Sequence, residues 1–293
     1  MIYPENIKTV GIISPAGKLA PELQEAGIAV LRKEGIKVKG PLPLPDCKVS
    51  YLAGTPEDRA RQLEEMWLDP DVDMLLCTRG GFGSAQLLDH INWRKLSRRP
   101  LPLAGYSDIT ALHWAMASCH AGLPVVSPML GKLSSLDTAT YSAIGKAFSG
   151  SERTAAVQRL SGQGFSGKIL AGNLTVAASL AGSDYFPDAR NKVILLEDIN
   201  EPVYKIDRCL TQLEQSGLFH RAAGVIFGSF SGSDPQELDE LFNRFARRTN
   251  LPAACGFPFG HNLPLLSFSF EDEITVSEKA PGQWQARLAA PDF

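Results

Sequence analysis

The stretch Pro100–His120, PLPLAGYSDITALHWAMASCH, passes from an apolar segment through a small polar knot into a second apolar segment of different period. Up to Gly105 it reads as a short buried strand. Beyond it, Ile109, Leu112, Ala115, Met116 and Cys119 recur at helical spacing. Ser107 therefore falls between the C-terminal end of a strand and the first turn of a helix, the edge at which open parallel sheets bind their ligands. Two readings of the knot compete. Either Ser107 or Asp108 caps the helix, or Ser107 is held up as a nucleophile beside unpaired N–H groups at the positive end of a helix dipole.

Working outward, Thr9–Ile13 reads as a strand, Pro21–Gly35 as a helix and Ile36–Val38 as a second strand. Thr55 as N-cap with Pro56 behind it opens a helix to about Leu68. Val72–Cys77 is a third strand, followed by the loop TRGGFGS and a helix to about Ile91. This alternation implies an α/β fold with a parallel sheet and helices on its faces. Past residue 130 the composition turns small and polar and predicts a helix, then a linker to Gly164. Strands follow at 167–171, 192–196, 224–230 and 253–257, with helices over 203–217 and 235–248. SFSFEDEITV alternates like one half-buried strand. The expected division is two domains, residues 1–150 and 165–293.

Twenty-nine Lys and Arg against 32 Asp and Glu give a net charge of −3, which argues against nucleic acid or a membrane surface as partner. No apolar run approaches the ~20 residues that span a bilayer. The N-terminal residues lack a secretory pattern, so the expected location is cytoplasmic. Five scattered cysteines without a C-x-x-C pair argue against a disulfide framework or structural zinc. TRGGFGS is neither G-x-x-x-x-G-K-[ST] nor G-x-G-x-x-G, and no H-E-x-x-H occurs, so no cofactor and no metal are expected.

TRGGFGS belongs on the same sheet edge as Ser107. Gly80, Gly81 and Gly83 let the backbone come close to a ligand, and successive N–H groups there suit a phosphate or an oxyanion. A serine nucleophile needs a base, normally a histidine oriented by a carboxylate. His113 and His120 belong to the helix of Ser107 itself, His90 ends a helix, and His220 follows the Gly217 cap. His261 sits in GFPFGHNLP just after a strand, as a rigidly held base or as an ordinary loop histidine. In NKVILLEDINEP, Glu197 is the first polar residue off a buried strand, and Asp198 and Glu201 read as helix-start or surface charges.

The segments RGGFGS, GYSDIT, AGNL, LLEDINEP and FGH, in this order and spacing, resemble the LD-carboxypeptidases of serine peptidase family S66, which include the microcin C immunity peptidases. The resemblance runs from the Ser14–Gly17 turn to the FGH loop. It implies a flavodoxin-like parallel-sheet N-terminal domain and a smaller, swivelling β/α C-terminal domain. It also implies a triad of Ser107, Glu197 and His261, and an oxyanion hole from the backbone of Gly81 and Asp108. The implied enzyme is a homodimeric serine carboxypeptidase that releases terminal D-alanine from a murein peptide during cytoplasmic peptidoglycan recycling. The chain order Ser…Glu…His occurs without G-x-S-x-G, because Ile109 takes the last position. Phe82 stands where Tyr is common in the family. Arg79 is the candidate for gripping a substrate carboxylate, or it pairs with an acidic neighbour in the fold. Two alternatives remain: an immunity-type hydrolase of aminoacyl-nucleotides, and a non-catalytic anion- or nucleotide-binding protein.

Overall fold

The computed structural model describes residues 2–41, 44–45 and 47–290. The first half contains β1 (Thr9–Ile13), α1 (Pro21–Lys33), β2 (Lys37–Lys39), α2 (Pro56–Leu68), β3 (Met74–Cys77), α3 (Trp93–Leu96), β4 (Pro102–Gly105), α4 (Thr110–Ser118), β5 (Leu123–Val126) and α5 (Thr138–Phe148). The remainder contains β6 (Arg153–Ser161), β7 (Phe165–Asn173), α6 (Leu174–Ser179), β8 (Lys192–Ile199), α7 (Val203–Gln215), β9 (Gly224–Ser231), α8 (Pro235–Thr249), β10 (Ala253–Cys255), β11 (Phe268–Ser269), β12 (Glu273–Ala280) and β13 (Gln283–Ala289).

One sheet has the order β11-β5-β4-β3-β1-β2. Its first five strands in sequence are mutually parallel, and β11 adds antiparallel to β5. β1 and β3 are buried throughout, as strands covered on both faces must be. The expected cap of α2 is present: Thr55 accepts from the Asp58 N–H, with Pro56 at the first helical position.

The second sheet closes on itself in the order β10-β6-β13-β12-β7-β8-β9, with β9 pairing parallel to β10. The run β7–β10 is parallel and crossed by α6, α7 and α8, while β12, β13 and β6 complete the wall antiparallel. Closure leaves no unpaired edge. Residues 153–161, which read from sequence as a linker, are the barrel strand β6. Only Arg153 and Val157 of it are buried, so no apolar alternation marks it. SFSFEDEITV is two strands: β11 joins the open sheet and β12 the barrel. The corner between them is held by Asp272, which pairs with the buried Arg153 at 2.8 Å and accepts from the Ser269 N–H.

Helix α4 joins the two sheets. Thr110 to Met116 are all buried, whereas its sequence spacing predicts one apolar face. Trp114 Nε1 donates to the Ala171 carbonyl on β7 (2.9 Å), and the Asn173 N–H donates to Thr110 Oγ1 (2.8 Å). A helix apolar all round is one packed on both sides. Gly172 permits this contact, since a Cβ there would meet Thr110 Cγ2 at 2.5 Å.

Candidate active site

β4 ends at Gly105, and the chain turns sharply through Tyr106 and Ser107 into a 3₁₀ turn, Ser107–Ile109, before α4 begins. Ser107 has φ +65°, a left-handed conformation that costs an L-residue energy and lifts its side chain clear of the helix. Capping does not account for the knot, because Ser107 and Asp108 make no side-chain cap to the helix that follows them. The Asp108 carboxylate turns away and accepts from the Ser84 N–H (2.9 Å), while Ser84 Oγ donates to the Asp108 carbonyl. Burial pushes the Asp108 carboxyl above its ordinary range; the bonds to Ser84 and the nearby Arg59 charge pull it back.

The structure brings Ser107, His261 and Glu197 into one hydrogen-bonded chain. Ser107 Oγ lies 3.1 Å from His261 Nε2, and His261 Nδ1 lies 2.8 Å from Glu197 Oε2. Glu197 is inside β8 rather than after it, opposite Asn173 of β7. A bulge between Leu196 and Asp198 interrupts the pairing with β9 at this point. Its carboxylate is wholly buried and takes a second bond from Asn173 Nδ2 (3.2 Å). Burial raises the Glu197 pKa, and the bonds from His261 and Asn173 oppose the rise. Gly260, at φ +136°, lets the histidine loop pass over this carboxylate: a Cβ there would lie 2.5 Å from Ser229 Oγ and 3.0 Å from Glu197 Oε2. The Tyr106 ring lies 5.2 Å from the imidazole, and burial pushes its hydroxyl up to about 12.

Asp198 is no surface charge. It is buried and accepts from Asn173 Nδ2, Thr175 N and Oγ1, and Ile199 N, so it caps the preceding α6 rather than the helix that follows. Glu201 is a partly exposed partner of Lys205. The other histidines lie elsewhere. His113 is buried against the Leu103 carbonyl, His90 sits 3.7 Å from Glu57, and His120 and His220 are exposed.

Three contributors are not legible in the sequence. Asn173 bridges Glu197 and Asp198 while its Oδ1 caps α6; the AGNL segment flags the position, though not the role. Arg59, on the inner face of α2, is wholly buried and donates to the carbonyls of Pro15, Gly54 and Gly83 and to Gln86 Oε1. It thereby ties the glycine loop to the Ser14–Gly17 turn. Lys132 lines the cleft from a 3₁₀ turn, Leu130–Ser135. No pattern around Arg59 or Lys132 separates them from ordinary surface cations.

The glycine loop packs directly on the elbow. A Cβ on Gly80 would meet Ser107 Cβ at 3.2 Å and the Asp108 N at 3.3 Å. The Gly80 carbonyl is held by the Gly17 N–H (3.2 Å) and Arg79 Nε (3.1 Å). In a planar trans peptide the Gly81 N–H then points away from those two donors. Arg79 Nη1 also donates to the Lys18 carbonyl; no carboxylate pairs with Arg79 among the described residues. Ser107, Gly80, Gly81, Arg79, Tyr106 and His261 line a cleft of about 380 Å³.

A doubly wound sheet with a strand-end serine, a histidine and a buried carboxylate in line defines a serine hydrolase. Residues 10–127 match the model of the LD-carboxypeptidase N-terminal domain and residues 166–276 that of its C-terminal domain. The chain belongs to the LD-carboxypeptidase family of serine peptidases, S66, and is a serine carboxypeptidase by that membership. It is 30% identical over 273 residues to a probable murein peptide carboxypeptidase of Bacillus subtilis, covering 88% of this chain and 85% of the relative. The crystal structure of muramoyltetrapeptide carboxypeptidase from Oxalobacter formigenes superposes with a TM-score of 0.86 at 25% identity, covering 97% of this chain and all of that one. An MccF-like protein of Bacillus anthracis shares the fold, with a TM-score of 0.88 at 19% identity over 99% of this chain and 98% of that one.

Proposed function

We propose that the chain removes the terminal D-alanine of a murein tetrapeptide by acyl transfer to Ser107. His261 Nε2 takes the hydroxyl proton as Oγ bonds to the scissile carbonyl carbon. The carbonyl oxygen gains its negative charge facing the N–H groups of Gly81 and Asp108. Collapse breaks the C–N bond, and His261 returns the proton to the leaving amine. A water molecule, deprotonated by the same histidine, then releases the acid and restores Ser107. Glu197 keeps the imidazole in the tautomer with its proton on Nδ1 and stabilises the charged form. Arg79 braces the Gly80 carbonyl and stands ready for an anionic group of the acyl part.

The observation that carries this reading is the in-line chain Ser107–His261–Glu197, with its carboxylate buried and its serine at positive φ. The names of the relatives support the murein substrate. In this reading the enzyme works in the cytoplasm as a homodimer, its C-terminal domain swivelling against the N-terminal one. Among the described residues, no helix is long and apolar enough to cross a membrane. Cell fractionation and light scattering test the location and the dimer.

The deciding assay follows D-alanine release from the free tetrapeptide, its C-terminal amide and the same peptide ending in L-alanine, with an aminoacyl-nucleotide alongside. Selective cleavage of the first, abolished in Ser107→Ala, is the expected result. Equal kcat/KM on all three peptides overturns the carboxypeptidase reading, and selective turnover of the nucleotide conjugate points to immunity-type hydrolysis. A fluorophosphonate should label Ser107; an unlabelled, inactive protein would instead be a binding module.

A further inference from the structure

A second lobe of about 120 Å³ opens from the same cleft, lined by Gly260, His261, Leu263 and Leu265 of the histidine loop and by Lys132. Ser107, Gly80 and Gly81 line only the larger lobe. This partition assigns directions to the reaction. The acyl carbon and its oxygen belong with the serine and the glycine loop. The leaving nitrogen must meet His261 Nε2, so the departing residue lies on the histidine side.

The smaller lobe is mostly apolar and is lined by one lysine, Lys132. Lys132 projects from a turn whose Leu130 and Leu133 are buried, and the Gly131 N–H donates to the Thr78 carbonyl at 3.0 Å. A rigid base therefore presents a flexible cation. The Lys132 ammonium has no hydrogen-bond or ion-pair partner among the described residues. Among the described residues, neither lobe is lined by an Asp or Glu, although acidic residues outnumber basic ones in the chain. Arg79 lines only the larger lobe, and Lys132 lines both, so Lys132 is the cation that reaches the smaller one.

We propose that the smaller lobe is the leaving-group pocket and that Lys132 binds the free carboxylate of the departing amino acid, making it the residue that restricts cleavage to the chain terminus. This rests on the acyl-transfer reading above and shifts the terminal carboxylate to Lys132 from Arg79, which its place beside the glycine loop makes the candidate in the sequence. A small apolar pocket with a single ammonium suits an amino acid with a short side chain and a free carboxylate. A chain continuing past the scissile bond would meet Leu263 and Leu265 and leave the ammonium unpaired.

The test compares wild type, Lys132→Met, Lys132→Arg and Arg79→Met on the free tetrapeptide and its C-terminal amide. Lys132 is exposed, and thermal melts should coincide. Loss of a hydrogen bond to a charged partner should lower kcat/KM of Lys132→Met on the free acid by roughly 30- to 100-fold, mainly through KM. On the amide, Lys132→Met and wild type should agree within about twofold, because that substrate lacks the charge the lysine reads. Lys132→Arg should recover most of the loss. Arg79→Met should keep the discrimination between acid and amide. Unchanged kcat/KM in Lys132→Met, an equal loss on both substrates, or discrimination erased by Arg79→Met in place of Lys132→Met overturns the assignment. Calorimetry of the free tetrapeptide and its amide on Ser107→Ala, with and without Lys132→Met, separates this from the catalytic reading. Lys132-dependent preference for the acid in a protein whose wild type hydrolyses neither peptide would refute the chemistry and keep the pocket; equal binding would refute the pocket.

Discussion

Replacing Glu197 with Gln keeps the size of a wholly buried side chain and removes its charge. Its two neighbours are both donors: His261 Nδ1 at 2.8 Å and Asn173 Nδ2 at 3.2 Å. Asn173 cannot turn its oxygen inward, because Oδ1 accepts from the Val176 N–H (3.1 Å) while Nδ2 also donates to Asp198 (2.8 Å). A glutamine amide must then face one donor with another. If its NH₂ meets His261, the imidazole switches tautomer, Nε2 carries the proton, and Ser107 has no base. If its NH₂ meets Asn173, the tautomer survives at the cost of an unsatisfied buried donor, about 1–3 kcal/mol, and the imidazolium loses its counter-charge. Either way the barrier rises by about 4–5.5 kcal/mol, a 10³- to 10⁴-fold fall in kcat at ~1.4 kcal/mol per decade. Stability should change by no more than about 1 kcal/mol, since burial already opposes the charged form of Glu197. The assay is D-alanine release with a thermal melt as folding control. Glu201→Gln, four residues on and paired with Lys205, should stay within about threefold of wild type. Glu197→Gln within tenfold of wild type, with its fold intact, would refute the orienting role.

Ser107→Gly should be more stable than Ser107→Ala by about 1 kcal/mol, because glycine relieves the φ of +65° that alanine retains; equal denaturation midpoints would contradict strain at the elbow. Arg59→Met leaves the carbonyls of Pro15, Gly54 and Gly83 without their donor and should cost about 3 kcal/mol in urea unfolding. It should also lower kcat more than it raises KM, since the loop it ties is the one packed on Ser107. Burial depresses the His113 pKa to about 4. The unfolded chain therefore binds a proton between about pH 6.5 and 4 that the native protein refuses, and stability falls as pH drops through that window. At ~1.36 kcal/mol per unit the loss approaches about 3 kcal/mol by pH 4. Glu197, Asp108 and Asp272, raised by burial, act in the opposite direction. His113→Gln, compared with wild type at pH 7 and 4.5, isolates the histidine and should lose less; an equal loss would refute it.

Much of this protein is written locally. The strand–helix alternation of the first half, the Thr55 cap, the glycine after α7 and the polar knot before α4 each depend on residues a few positions apart, and there the sequence suffices. It also puts Ser107, Glu197 and His261 at the ends of apolar runs, though only as candidates beside bland alternatives. Other features belong to the folded chain. β6 reads as a linker because a barrel strand with two buried residues has no period of its own; its partners, β13 and β10, lie over 90 residues away. The split of SFSFEDEITV between two sheets depends on Arg153 reaching Asp272, and the burial of α4 on both sides depends on β7 arriving against it. Arg59 and Lys132 look in sequence like any solvated cation. Carbonyls from three loops surround the first, and a cleft with no carboxylate among its described lining residues receives the second, because hydrogen bonds and burial are set by what the fold brings near, which the local chain does not encode.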